Sequence, residues 1–184
     1  LEEGGDITEL ADILGHSSID TTRIYTRTTS KMKRERMEKM KRSILATSML
    51  GCRYWVVHPL MPFGTEDLKL GKGEQTWNIN VEFIKELVAY AESVGVTVCL
   101  ENMPMPHFSI ATPARILELV TAIGSACAQV CLDTGHVAIF PEISIGDAVR
   151  ELGEHLKVLH VHDNPGTEDS HLWPTRGVIN WSEF

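Results

Sequence analysis

The stretch Leu132-Asp133-Thr-Gly-His136 decides the fold because of what flanks it. It closes the apolar run Ala128-Gln-Val-Cys-Leu132. Upstream, Val96-Thr-Val-Cys-Leu100 runs into Glu101-Asn102; downstream, Val158-Leu159 runs into His160-Val-His162-Asp163-Asn164. Three short apolar, β-branched runs each end in residues of the types that hold hard cations, and helix-like segments separate them. Strands alternating with helices imply a parallel sheet. Such a sheet gathers the C-terminal ends of its strands on one side, where folds of this kind keep their chemistry.

The flanking segments fit that frame. Residues 6–14 predict a short amphipathic helix, with Ile7, Leu10, Ala11 and Leu14 on one face and Gly15 placed to end it. Residues 18–26 predict a second short helix, and residues 30 to about 50 a longer one, basic at first and apolar later. Arg53 to His58 predicts a strand stopped by Pro59, and residues 60–77 a loop rich in Gly and charge. A helix follows over 80–93, where Phe83, Ile84, Leu87, Val88 and Ala91 keep the helical period and Gly95 stands as a C-terminal stop. After strand 96–101 and the loop Met103-Pro-Met-Pro-His107, Thr112-Pro113 opens a helix running to about Ile123. Strand 129–133, a loop, a helix near 145–155, strand 157–162 and a closing loop complete the chain. A full (β/α)8 barrel takes about 250 residues. The expected fold is therefore α/β: a partial TIM barrel of about four parallel strands, preceded by a short all-α segment.

The chain has 184 residues, enough for one ordinary domain or one and a fragment. No apolar run is long enough to span a bilayer and no signal-peptide pattern is present, which points to the cytoplasm. Leu1 in place of Met, and Phe184 with no closing signal, make both ends read as cut. Cys52, Cys99, Cys127 and Cys131 form no CxxC and read as buried, inert thiols in a reducing compartment. The net charge of −8 hides an asymmetry. Residues 23–42 carry nine Lys/Arg against two Asp/Glu (+7), whereas residues 43–184 carry eight against seventeen (−9). A basic head on an acidic body suggests two origins, or a basic helix that meets nucleic acid, with non-specific DNA binding through residues 23–42; the alternative is a solvated, charge-rich helix face.

Glu101, Asp133 and His160 each stand at or just past a strand end; His58 and His136 add imidazoles, and Asp169-Ser-His171 adds a pair in the last loop. Oxygen-rich ligation with some imidazole suits Mn²⁺, Mg²⁺, Co²⁺ or Zn²⁺. A carboxylate beside such a metal can move a proton next to a carbonyl that the metal polarises. His58 alone also fits a hydrogen-bonded structural group. Glu101 inside a Val/Leu run is harder to explain by packing, because an unpaired buried carboxylate is costly. Cys131 and Met103 read as packing, and His107 and His155 as surface residues.

Five ordered motifs carry a resemblance: Trp55-Val-Val-His58-Pro59, Cys99-Leu-Glu101-Asn102-Met103, Leu132-Asp133-Thr-Gly-His136, Leu159-His160-Val-His162-Asp163-Asn164, and Asp169-Ser-His171 followed by Gly177-Val-Ile-Asn-Trp181. Together, over roughly residues 40–184, they resemble the xylose-isomerase-like TIM-barrel superfamily, which includes sugar phosphate isomerases and epimerases and the endonuclease IV family. In the epimerase branch the resemblance implies that Glu101, Asp133 and His160 are metal ligands. It also makes Glu101 one of two acid/base carboxylates and puts His136 against substrate. His58, Asp169 and His171 are then further candidates for substrate contact. In the endonuclease branch His58, Glu101, Asp133, His136, His160, Asp169 and His171 match zinc ligands. The family's last ligand, a Glu on a late strand, would lie beyond Phe184, and one or two early strands would precede residue 43. The loop Pro174-Thr-Arg-Gly177 departs from the family's Pro-Gly-x-Gly. An incomplete site is expected.

Leu14-Gly-His16-Ser-Ser-Ile-Asp-Thr-Thr-Arg-Ile-Tyr25-Thr resembles something else, the C-terminal end of tyrosine recombinases. That likeness implies Tyr25 as the nucleophile on a DNA phosphate, assisted by His16. The family's catalytic arginines and lysine come earlier in its chain and are missing here, so the transition state lacks its cations. The expected organisation is a recombinase fragment over 1–30, a basic helix or linker over 31–42, and an incomplete barrel over 43–184. The expected function is metal-dependent sugar or sugar phosphate isomerisation or epimerisation. DNA recombination, endonuclease IV-like repair and a non-catalytic remnant are the alternatives. An acidic body argues against a duplex-binding surface.

Overall fold

The computed structural model describes residues 19–184, with side chains from Lys33 onward. The predicted helix over 6–14 and His16 lie outside the described residues. The chain divides into two compact units with the boundary between Ser43 and Ile44.

Helix α1 spans Ile19–Met49 without interruption, so the two helices expected over 18–26 and 30–50 are one. The reason is local: no Gly or Pro interrupts that stretch, and straight-chain residues that favour helix fill its second half. Tyr25 falls on this helix, with its side chain outside the described ones.

The second unit is a βα repeat. Strand β1 (Tyr54–Val57) is followed by helix α2 (Gly73–Ser93), strand β2 (Thr97–Glu101), helix α3 (Pro113–Ile123) and strand β3 (Ala128–Asp133). Helices α4 (Thr134–Ala138) and α5 (Ile145–Leu152) and strand β4 (Leu156–His160) complete it. The strands pair in parallel in the order β1-β2-β3-β4, as the partial barrel requires. The central strands β2 and β3 are buried on both faces, which is why they read as continuous apolar runs rather than alternating ones. Among the described residues β1 and β4 are the edges, and Leu159 stays 41% exposed on β4.

Helix α2 buries Phe83, Ile84, Leu87, Val88 and Ala91 as the period predicts, and Gly95 at φ +73° takes the left-handed turn after it. It begins at Gly73, within the stretch predicted as loop, because Thr76 and Asn80 are buried polar residues rather than surface ones. The Asn80 side chain accepts from Leu60 N–H at 2.6 Å and donates to Leu60 C=O at 2.9 Å, fastening the segment after β1. Helix α3 starts as read: the Thr112 hydroxyl caps Arg115 N–H, Pro113 occupies the first turn, and Gly124 closes it. The loop expected after Asp133 is instead the five-residue helix α4, too short to leave a periodic signature.

Cys99 and Cys131 are buried in strands, and burial pushes both thiols up, Cys99 to about 12. Cys52 is exposed, against the expectation of burial, because it lies in the turn between α1 and β1. Among the described residues no helix is long and apolar enough to cross a membrane.

Candidate active site

The parallel register brings the strand-end groups level. Asp133 pairs with His160 across β3 and β4, and Glu101 with Cys131 across β2 and β3. Past the ends of the ladder, side chains take over the pairing. Asn102 accepts from Asp133 N–H at 2.8 Å and donates to Asp133 C=O at 3.1 Å, latching β2 to β3. The Thr134 hydroxyl accepts from His162 N–H at 3.0 Å and donates to His162 C=O at 2.7 Å, latching β3 to β4. These latches hold the C-terminal rim at fixed spacing.

Glu101 is the centre of the rim. It is 3% exposed, yet its two oxygens face imidazoles: Oε2 lies 3.2 Å from His58 Nε2 and Oε1 lies 2.9 Å from His160 Nδ1. Burial pushes its carboxyl up, but the hydrogen bonds and positive charge of His58 and His160 outweigh this and hold it below the usual range. The same contact works in reverse on His58: the Glu101 hydrogen bond raises its imidazole, against the opposing pull of burial.

Asp133 turns two oxygens to two neighbourhoods. Oδ1 accepts from His136 N–H at 2.9 Å, so Asp133 both ends β3 and caps α4. Oδ2 lies 3.8 Å from His160 Nδ1. His136 is buried, and its Nδ1 donates to Asn102 C=O at 2.7 Å. That leaves the lone pair on Nε2, which faces Asp169 Oδ2 at 3.2 Å. Two electron-donating atoms at that distance need a shared proton or cation between them. His171 Nε2 stands 3.4 Å from Asp169 Oδ1 on the exposed side. His58, Glu101, Asp133, His136, His160 and His171 all line one depression of about 590 Å³. The structure thus brings the described candidates together, Asp169 among them through its contacts with His136 and His171.

Among the described residues three groups of donor atoms have the spacing of a cation site: Glu101, Cys131 and His160; Asp133, His136 and His162; and His162, Asp169 and His171, the last two sharing His162. Mixed carboxylate and imidazole donors suit Mn²⁺, Co²⁺ or Zn²⁺, and with more oxygen Mg²⁺. A further observation supports the fit. His162 Nε2 is buried and, among the described residues, without a hydrogen-bond partner, although it stands 2.8 Å from Asp133 Oδ1. Neighbouring ligands of one small cation, each at about 2.1 Å from it, sit about 3 Å apart, the spacing that Glu101 Oε1 and His160 Nδ1 show at 2.9 Å. The residues present fit a divalent metal.

Three site builders carry no role by sequence: His162 stands in its motif beside His160, and Asn102 and Asp163 stand beside the expected ligands. Asp163 has no exposed surface, and its carboxylate accepts from Asn164, Thr175 and Ile179 N–H and from Trp181 Nε1. It pins the closing loop that carries Asp169 and His171. A signal was present: an Asp just past a strand-end His motif, followed at a distance by Gly177 and Trp181. Gly177 is needed because a Cβ there would lie 2.1 Å from Asn164 O.

Comparison with known proteins agrees with this architecture. The D-psicose 3-epimerase of Ruminiclostridium cellulolyticum is 34% identical over 109 residues, taking in 59% of this chain and 35% of the relative. The inosose isomerase of Bacillus licheniformis is 24% identical over 156 residues, 80% of this chain and 53% of the relative. The chain thus spans from about a third to about half the length of these curated relatives. The crystal structure of a D-tagatose 3-epimerase-like protein superposes with a TM-score of 0.72 at 29% identity, covering 84% of this chain and 57% of that one. The family described as Xylose isomerase-like TIM barrel matches residues 8–184, and the chain belongs to it.

Proposed function

We propose that this chain carries the metal and proton-transfer groups of a sugar epimerase or isomerase acting beside the carbonyl of a polyhydroxy ketone. The observation behind this reading is the convergence of Glu101, Asp133 and His160, with Glu101 Oε1 at 2.9 Å and Asp133 Oδ2 at 3.8 Å from His160 Nδ1. The relatives named for D-psicose and inosose support the substrate class, a sugar or sugar phosphate being the ligand. Glu101, Asp133 and His160 would hold Mn²⁺, Mg²⁺, Co²⁺ or Zn²⁺, which when bound polarises the carbonyl.

Glu101 is ionised by its two imidazole neighbours and accepts the proton from the carbon next to the carbonyl. The C–H electron pair moves toward the carbonyl oxygen, and return of a proton to carbon completes the exchange. His58 keeps Glu101 Oε2 oriented. His136, Asp169 and His171 border the same depression and offer hydrogen bonds to substrate hydroxyls. The test is NMR of ketohexoses in D2O with the full chain and Mn²⁺ or Co²⁺. Deuterium should enter at the carbon beside the carbonyl, and chelator should stop it. No exchange with any ketohexose or its phosphate at millimolar metal would overturn the reading.

A second reading concerns the N-terminal segment, and it rests on the motif around His16 and Tyr25 together with the basic run 23–42. It takes residues 1–30 as a recombinase end and 31–42 as a basic helix or linker leading into the barrel over 43–184. Such a segment binds DNA non-specifically, with affinity falling as salt rises. Without the family's arginines it forms no covalent adduct. A Tyr25-dependent adduct with nicked duplex on a denaturing gel would show that a partner supplies those cations.

A further inference from the structure

The proton-transfer reading makes no use of His162, yet few side chains here are held more closely. Thr134 clasps its backbone from both sides. Its ring is 7% exposed at the residue level and lies flat on His171, with centroids 3.9 Å apart and planes 5° from parallel. The ring also presses on Gly135. A Cβ at that position would sit 2.0 Å from His162 Cε1, an outright overlap. Gly135 does not have the positive φ that calls for glycine, so this ring is the reason the motif Asp133-Thr-Gly-His136 has no side chain at its third position.

An imidazole so enclosed needs partners for its nitrogens. Nδ1 is 3.4 Å from Asp163 C=O, a weak contact. Nε2 is shut from solvent and, among the described residues, has no hydrogen-bond partner, and the atom it faces is Asp133 Oδ1 at 2.8 Å. That oxygen also takes the His136 N–H, while Oδ2 is left toward His160. The geometry points to His162 as a positioning residue that, through Nε2 against Asp133 Oδ1, sets the rotation of the Asp133 carboxylate and so the oxygen it offers to a cation beside Glu101 and His160. This rests on the cation reading above. The ring that orients Asp133 is also the one stacked on His171, so the closing loop and the carboxylate share one support.

A role in packing alone makes the opposite prediction, and two substitutions separate them. His162→Phe keeps a ring to fill the space and stack on His171 but has no Nε2. His162→Gln loses the ring, but its amide reaches where Nε2 stood. The full chain, freed of metal, is titrated with Co²⁺ and followed by visible absorption. His162→Phe should bind Co²⁺ about tenfold more weakly or worse with a changed spectrum, and His162→Gln should stay within about threefold of the parent. Parent-like binding by His162→Phe, or His162→Gln as weak as His162→Phe, overturns the proposal. Glu101→Gln is run beside them. If it binds Co²⁺ like the parent, or the parent takes up none, the cation reading is what fails. His162 is then judged on a metal-free crystal structure of His162→Phe. The Asp133 carboxylate should have rotated there, and an unmoved carboxylate overturns the proposal.

Discussion

Glu101→Gln should abolish metal-assisted proton exchange while leaving the fold standing. Losing a positioned general base costs about 10²- to 10⁴-fold in rate. Glutamine has nearly the same shape, so the buried site does not collapse. The partners left behind, His58 and His160, have side chains 56% and 44% exposed and can be solvated, which keeps the stability cost near about 1 kcal/mol. The linkage has a definite sign. Glu101 is held below its ordinary 4.5, so its contribution is full above that pH and lost as pH falls through its lower folded value. His58 is raised above its ordinary 6.5, so its contribution is full below that pH and lost as pH rises through its higher folded value. The metal-free protein should therefore draw its full benefit from this pair between about pH 4.5 and 6.5. Glu101→Gln should flatten that window in thermal melts. It should also return the His58 titration, followed by NMR, toward the ordinary value. A His58 titration unchanged in the variant would contradict the contact.

Asp163→Ala should release the closing loop. Hydrogen bonds to a charged acceptor contribute about 1.5–3 kcal/mol each and are not additive when they share one group, so the loss should be about 3 kcal/mol or more. Its effect is local first, because the donors lie between Asn164 and Trp181. Amide exchange should speed up at Thr175 and Ile179, and Trp181 fluorescence should shift toward that of a solvated indole, before the sheet melts. Burial pushes the Asp163 carboxyl up, but hydrogen bonds from Trp181, Ile179, Gly177 and Asn164 bring it below its ordinary 3.8. In the parent protein the loop should therefore hold down to about pH 3.8 and loosen only as pH falls through the lower folded value. Release already at pH 5 would mean that Asp163 is not the fastening. Because Asp169 and His171 ride on this loop, the same variant should weaken substrate binding more than it slows proton exchange.

Much of this was legible in the sequence, for reasons particular residues make plain. Val96 to Leu100 and Ala128 to Leu132 read as strands because strands covered on both faces carry unbroken apolar runs. Thr112-Pro113 and Gly124 marked the ends of α3 because cap chemistry is local. Glu101 and Asp133 stood out because carboxylates do not end such runs by accident. What was hidden depended on tertiary contact. The first turns of α2 read as loop because Thr76 looks like a surface residue although it is buried, and Asn80, where the expected helix began, shows its part only once Leu60 is folded against it. His160 and His162 lie on one face by the period of two, and their spacing alone does not separate their roles. The strand stops at His160, and beyond it the chain is steered by Thr134, which tucks His162 beside Gly135. No one-dimensional pattern announces that. Asp163 was hidden for a related reason, since its donors come from as far on as Trp181.

The strand order carries a consequence for how the chain comes together. Among the described residues each strand pairs only with the one before and the one after it in sequence, so the sheet can grow from β1 as each next strand becomes available, during synthesis as well as in refolding. Glu101, Asp133 and His160 arrive in that order, on β2, β3 and β4. The three-residue constellation thus exists only once β4 has docked. A cation that needs all three has nothing to hold while the earlier pairings form. On the proposed reading it would act as a lock on these four docked strands, slowing their separation without hastening their pairing.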